Sequence, residues 1–243
     1  MQFDFKDGRY MLGDCFDRMR EIPDASVDMV LCDLPYGMTR NKWDTVLPFD
    51  ALWREYWRIA KPSAPIVLTA MQPFASVLGA SCIERLKYEW IWDKPNPTGF
   101  LNATRAPMRS HENILVFYRS APTYNPIKTT GHPRKMVKRT KNGSNYGGGS
   151  LTEYDSTERF PRDIINVTNA HKLTNWHPTQ KPVALFEYLI RTYTNPGETV
   201  LDNCAGSGTT AKACMASGRR FICIERDQDY FLRATADLLS YGA

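Results

Sequence analysis

Val200-Leu201-Asp202-Asn203-Cys204-Ala205-Gly206-Ser207-Gly208-Thr209-Thr210 reads as a buried strand, a glycine-bearing turn and the first residues of a helix. Gly206 and Gly208 let the backbone approach a ligand closely, and Thr209 or Thr210 is placed to cap the helix. No Gly-Lys-Ser/Thr tail follows, which excludes a P-loop. A dinucleotide fingerprint would put a third glycine where Thr210 stands, so a bound pyrophosphate is disfavoured. Glu225 ends the next apolar run, Arg220-Phe221-Ile222-Cys223-Ile224, 23 residues after Asp202. An acid at that place accepts hydrogen bonds from ribose hydroxyls, so turn and acid together suit a nucleoside. A purely structural turn is the competing reading.

Outward from this turn the chain alternates strand-like and helix-like segments. Val27–Cys32, Ala64–Ala70, Tyr88–Trp92 and Ile114–Tyr118 read as strands; Phe49–Ile59, Phe74–Arg85, Val183–Thr194, Thr209–Ala216 and Tyr230–Leu239 carry helical spacing. Alternation of this kind implies an α/β fold with a mostly parallel sheet covered on both faces, and ligands beyond the carboxyl ends of its strands. From Arg119 to about Tyr154 the pattern breaks at Pro122, Pro126, Pro133 and the run Asn142–Ser150, which reads as a long loop.

A chain of 243 residues, 42% apolar and 23% charged, buries a core without disulfide or metal staples. No apolar stretch reaches the roughly 18 residues that span a bilayer, and no signal-peptide pattern opens the chain. A cytoplasmic location and no membrane partner are the resulting expectations. Cys15, Cys32, Cys82, Cys204, Cys214 and Cys223 form no C-x-x-C pair and read as structural thiols, with no metal expected. The net charge is +5, but Arg119, Lys128, Arg134, Lys135, Lys138, Arg139 and Lys141 stand within 119–142 without one acid. The rest of the chain is therefore slightly acidic, and this segment suits a polyanion.

Asp33-Leu34-Pro35-Tyr36-Gly37 follows the Val27–Cys32 strand directly. Pro35 holds Leu34 extended, giving a rigid corner with a carboxylate, a carbonyl and an aromatic ring. That set suits a planar ligand bearing an exocyclic amine: the ring stacks and two oxygens accept the amine's hydrogens. An ordinary capped turn is the alternative.

Taken together, these segments resemble the β group of S-adenosylmethionine-dependent DNA amino-methyltransferases, the N6-adenine and N4-cytosine family. Asp33–Tyr36 matches its catalytic motif, with Leu34 where proline is usual, and Cys204–Thr210 matches its glycine motif, opened by Cys204 in place of phenylalanine. Gly13-Asp14-Cys15, Ser110-His111-Glu112-Asn113 and His177-Pro178-Thr179-Gln180-Lys181-Pro182 match further segments in the same order. The resemblance covers roughly residues 8–118 and 160–240. It implies a Rossmann-like, seven-stranded, mostly parallel sheet with one antiparallel strand, helices on both faces and circularly permuted motifs. Residues 1–118 and 171–243 would form the catalytic and cofactor-binding domain, and 119–170 a basic, loop-rich target-recognition insertion.

The same resemblance implies roles. Tyr36 would stack on a base flipped out of the duplex, and Asp33 with the Leu34 carbonyl would hold its amine, Pro35 stiffening the corner. Glu225 would hold the cofactor ribose and Asp14, beside Cys15, the adenine edge. Thr179 and Lys181, with the turn Cys204, Ala205, Gly206, Ser207, Gly208, Thr209, Thr210, would lie near its methionine end; Asp202 would support that turn or the cofactor's amino group, and Asp33 would adjoin the same cofactor. Trp43 would flank the flipped base, while Lys128, Arg134, Lys135, Lys138, Arg139 and Lys141 would meet DNA. Trp53, Trp57, Trp90 and Trp92 read as packing residues.

Aspartate at position 33 favours N6-adenine methylation, with N4-cytosine as the alternative within the family. A nicotinamide-dependent oxidoreductase on the same turn and a non-catalytic DNA-binding module are the readings from other classes. The resemblance leaves open a homodimer and a companion restriction endonuclease as partners. The insertion shows few signs of a helix for major-groove readout, so short or relaxed sequence specificity is expected.

Overall fold

Strands that are apolar on both faces need cover on both faces. The larger unit of the computed structural model, Met1–Asn125 with Asp163–Ala243, supplies it. The structure describes residues 1–39, 41, 44–139, 152–169 and 180–241, with backbone alone at 137–139 and 152–155. In chain order the first stretch holds β1 (Gln2–Phe5), β2 (Gly8–Leu12), α1 (Cys15–Arg20), β3 (Met29–Asp33), α2 (Phe49–Ile59) and β4 (Ile66–Ala70). It continues with α3 (Phe74–Ala80), β5 (Leu86–Thr98) and β6 (Arg109–Phe117). A second unit, Pro126–Arg162, contains β7 (Lys135–Arg139) and β8 (Thr152–Ser156). The chain then returns to the larger unit as β9 (Ile164–Asn166), α4 (Val183–Tyr193), β10 (Thr199–Asp202), α5 (Thr209–Ser217), β11 (Arg220–Glu225) and α6 (Gln228–Tyr241).

The main sheet runs β1-β2-β11-β10-β3-β4-β6-β5-β9, nine strands among the described residues where seven were expected. The seven from β2 to β5 follow the expected pattern, all parallel except β6, which opposes both β4 and β5. The two additions are short edge strands. Four-residue β1 folds back on β2, and three-residue β9 pairs with Ile91–Asp93 of β5. Neither is long enough to leave a period in the sequence.

Side-chain alternation sorts the helices. Met29 and Leu31 of β3 pack with α4, α5 and α6 on one face, and Val30 and Cys32 pack with α1, α2 and α3 on the other. Trp53, Trp90 and Trp92 are buried in these layers, as expected of packing residues. Helix α3 ends at Ala80 and not at Arg85, because the chain turns there, Arg85 N–H bonding the Cys82 carbonyl. Strand β5 continues past Trp92 through Pro95 and Pro97, which fall beyond the stretch paired with β9, where no ladder needs their missing N–H.

The insertion expected over 119–170 is narrower as a compact unit. Asn125 is tied to α4 by its N–H to the Thr192 carbonyl at 2.7 Å, and Ile164–Asn166 joins the main sheet. Within Pro126–Arg162 the expectation of an unbroken loop also fails, since β7 and β8 pair antiparallel from Lys135↔Ser156 to Arg139↔Thr152. No described helix is long and apolar enough to cross a membrane.

Strands β3 and β10 are paired neighbours, yet β3 leads on to β4 at one side and β10 to β11 at the other. Such a switch point opens a crevice beyond the carboxyl ends of both strands.

Candidate active site

A cleft of about 780 Å³ fills that crevice. Asp33, Leu34, Pro35 and Tyr36 line it from the end of β3, and Asp202, Cys204, Ala205, Gly206, Ser207 and Thr209 from the glycine turn. Asp14, Cys15, Lys181 and Glu225 complete this wall. The structure thus gathers residues up to about 200 positions apart in the chain. Gly208 and Thr210 are not on the cleft surface. Gly208 takes the left-handed φ of +76°, and a Cβ there would meet Leu238 Cδ1 at 3.3 Å.

Asp33 is the last residue of β3 and lies opposite Thr69 of β4. The Thr69 hydroxyl donates to Asp33 Oδ1, as does the Tyr36 phenol at 2.6 Å, while Lys181 Nζ pairs with Oδ2 at 2.9 Å. Burial, then the Asp33 charge, pushes the Tyr36 phenol well above its ordinary range, so it stays a neutral donor. The Tyr36 ring stacks on Phe74 with centroids 5.1 Å apart, and Lys181 Nζ lies 5.6 Å from its centroid. The corner is therefore more tightly tied than the sequence suggested, with both carboxylate oxygens engaged and one ring face covered. Beyond it, the Asp44 carboxylate accepts from the N–H groups of Gly37, Met38 and Thr39 at 2.6–2.9 Å. Burial opposes its charge, but these donors and the Thr39 hydroxyl outweigh that and hold its pKa low.

Behind Asp33 runs an ionic chain that sequence reasoning missed. Lys181 Nζ reaches Glu112 Oε2 at 3.1 Å, and Glu112 Oε1 accepts from Lys94 Nζ at 3.1 Å. Lys94, Glu112 and Lys181 are only 4%, 8% and 8% exposed. Burial opposes the Lys181 charge, and Asp33 and Glu112 outweigh it, holding its pKa above the ordinary lysine value. Glu112 is the converse: burial opposes its charge, and Lys181 and Lys94 hold it ionised. The signal was present in the alternation. Lys94 continues the inward series Trp90, Trp92, and Glu112 opens the inward series Ile114, Val116, each a lone charge on an apolar face. The Ser110–Asn113 segment lies within β6 and not before it.

The glycine turn is held from below. Gly206 N–H donates to Glu225 Oε2 at 2.8 Å, Asp227 N–H to Oε1 at 2.7 Å, and the buried Tyr10 hydroxyl to the Gly206 carbonyl at 3.0 Å. Neither threonine caps α5. The Thr210 hydroxyl donates to Asp202 Oδ2, and the Thr209 hydroxyl to the Lys181 carbonyl at 3.3 Å. Asp14 is the N-cap of α1, its Oδ1 accepting from Phe16 N–H and Asp17 N–H.

Burial raises the Asp202 carboxyl to about 6, against hydrogen bonds from Thr210 and Cys204 N–H. Between pH 4 and 6 the folded chain keeps a proton here that the unfolded chain has released, so this group's share of stability falls as pH rises. Asp202→Asn removes that dependence. Urea unfolding is expected to show the variant gaining on the parent chain by about 3 kcal/mol between pH 4 and 7. A constant difference across that range would contradict it.

Lys128, Arg134 and Lys135 lie in the second unit, where Lys128 pairs with Glu158 at 2.8 Å and sits over Phe160. Of Lys138 and Arg139 the structure describes only backbone in β7. Trp43, Lys141 and Thr179 lie outside the described residues.

The sequence matches the model of a DNA methylase family, the N6/N4 methylases, over residues 27–236. It is 28% identical over 238 residues to the DNA adenine methyltransferase YhdJ of Escherichia coli (strain K12), covering 90% of this chain and 78% of that protein. The crystal structure of an M1.HpyAVI–SAM complex superposes with a TM-score of 0.64 at 24% identity, covering 95% of this chain and 99% of that one. The PvuII DNA methyltransferase (cytosine-N4-specific) does so with a TM-score of 0.70 at 14% identity, over 98% and 92%. At such identities the two structures bear on the fold alone. The family match spans the Asp33–Tyr36 corner, the glycine turn and Glu225, which displaces the nicotinamide reading: this chain belongs to the S-adenosylmethionine-dependent N6/N4 DNA methylase family.

Proposed function

We propose that the chain methylates the N6 amine of adenine in DNA, after the base has been flipped out of the duplex. The observation that carries this reading is the meeting, in one cleft, of Asp33 beside Tyr36 and the Glu225-anchored glycine turn. Aspartate at position 33 and the 28% identity to an adenine methyltransferase favour adenine over cytosine.

The cleft's donor set fits the cofactor. Asp14, Asp202 and Glu225 are acidic acceptors suited to a cationic nucleoside, and each Glu225 oxygen keeps a lone pair beyond its backbone bond. When bound, S-adenosylmethionine supplies a methyl carbon made electrophilic by its sulfonium. The protein's part is positioning and polarisation. An aromatic amine is a poor nucleophile because its lone pair is delocalised into the ring. Asp33 and the Leu34 carbonyl, accepting its hydrogens, favour a pyramidal nitrogen whose lone pair is localised and directed at the methyl carbon, and the low-dielectric site strengthens the effect. Tyr36 presents the ring face not covered by Phe74 to the base.

Incubation of unmethylated plasmid with tritiated cofactor, followed by digestion to nucleosides, tests this. Label in N6-methyl-2′-deoxyadenosine is expected; label in N4-methyl-2′-deoxycytidine would overturn the choice of base, and no label the activity itself.

The unit Pro126–Arg162 and its flanks we assign to target recognition, with Lys128, Arg134, Lys135, Lys138, Arg139 and Lys141 meeting phosphates and Trp43 flanking the base. Replacing Lys135, Lys138, Arg139 and Lys141 together by alanine is expected to reduce the log–log salt slope of DNA binding by about 3–4. An unchanged slope in a filter-binding titration would remove these residues from the interface.

A further inference from the structure

The connection between β5 and β6 carries two of the most exposed apolar side chains in the described part of the molecule. Phe100 is 77% and Leu101 is 96% exposed. They follow Gly99, which takes the left-handed φ of +91°, and sit on a single 3-10 turn, Phe100–Asn102. That turn is braced from within: Asn102 N–H bonds Gly99 O at 2.9 Å, Ala103 N–H bonds Phe100 O at 3.0 Å, and Arg105 N–H bonds Asn102 O at 2.8 Å. The tip is thus built rather than slack, and yet its apolar groups touch water. Such exposure marks a contact surface.

Position and charge identify the partner. Asn96, Pro97 and Thr98, just before the tip, line the cleft, so Phe100 stands within about 7 Å of backbone reach from its lip. From Lys94 to His111 there is no acid, and Arg105 and Arg109 are exposed beside the tip. An apolar point flanked by cations, next to a site that takes an extruded base, matches the stacked interior and phosphate borders of a duplex. A second copy of this chain fits less well, since two side chains offer at most about 400 Å², half of what each partner in a stable dimer buries.

We propose that Phe100 and Leu101 form a wedge that enters the base stack beside the target and occupies the gap the flipped base leaves. The inference rests on the function proposed above. Extrusion leaves an unstacked hole in the helix, and an apolar side chain filling it holds the base outside. Tyr36 is not available for that task, being stacked on Phe74 inside the cleft.

The test compares the unsubstituted chain with a Phe100→Ala/Leu101→Ala double variant on three oligonucleotides carrying a target adenine mapped by modified-base sequencing of methylated plasmid. One is a matched duplex, one a duplex with an abasic site opposite the target, and one a single strand. On the matched duplex kcat/KM is expected to fall about 10- to 100-fold, with near-parental rates on the other two, where no pair is broken. Phe100→Trp should restore the duplex rate. A 2-aminopurine beside the target should brighten with the parent chain and stay dim with the variant. Equal rates on the matched duplex would overturn the wedge, as would an equal loss on all three substrates. A loss shared by all three together with a fall in sedimentation coefficient would assign the tip to a second copy instead. Failure of the unsubstituted chain to methylate any of the three would refute the parent function, a result separate from failure of the wedge alone.

Discussion

Asp33→Asn is expected to lower the rate of methyl transfer about 1,000-fold, the scale of losing a charge-stabilising group in a dry site. The substitution keeps size and shape, so the hydrogen bonds from Thr69 and Tyr36 can persist on the amide oxygen. What changes is Oδ2, where an amide N–H₂ would face Lys181 Nζ, now 2.9 Å from a carboxylate oxygen. Two donors then oppose each other, and the acceptor that would hold the amine loses its charge. Single-turnover transfer from labelled cofactor measures the chemistry, and equilibrium dialysis the cofactor affinity, which should change far less. A variant keeping a tenth or more of the parent rate would show that the Asp33 charge is not what the reaction uses.

The second large effect concerns stability. Glu112→Gln takes from the buried Lys94 ammonium its described ion-pair partner and leaves Lys181 with Asp33. Breaking a buried ion pair from one side costs about 3–5 kcal/mol, because the surviving charge stays out of water. Loss of that size in urea unfolding is the expected result. Adding Lys94→Met should recover about 2 kcal/mol or more, since the double variant removes one charge of each sign and leaves Lys181 paired with Asp33. If the two changes simply add, the three side chains do not act as a unit. The array also explains why Lys181 stays protonated although buried: Asp33 and Glu112 both lie within ion-pair distance of its ammonium.

Much of this was legible in the residues. Helix α2 spans Phe49–Ile59 as its spacing predicts, and the parallel strands read as continuous apolar runs because helices cover both faces. The corner and the glycine turn were visible because each places several unusual residues in a row. Lys94 and Thr69 escaped notice because they act singly, and their meaning lies in partners on other strands: Lys94 in an ion pair with Glu112 of β6, Thr69 opposite Asp33 of β3. Asp44 escaped for a related reason, since three backbone N–H groups that converge on one carboxylate leave no side-chain pattern. The threonine caps were misread because Thr210 finds a buried acceptor in Asp202, and a hydroxyl with a charged partner does not turn back to a helix end. The strands β7 and β8 were hidden by the prolines and glycines around them.

The polypeptide between Pro126 and Arg162 is moored to the larger unit at both ends. Asn125 bonds the last turn of α4 through its own N–H and through its side-chain amide to the Arg191 and Thr194 carbonyls, and the Asp163 carbonyl accepts from Ile91 N–H at 2.7 Å. Everything strung between these moorings behaves as a cassette. Doubling its length costs only about 0.6 kcal/mol in closure entropy, and no strand of the large sheet would have to be rebuilt to accept a different one. Evolution, or an engineer, can therefore exchange what hangs there while the chemistry at the sheet's mouth stays untouched.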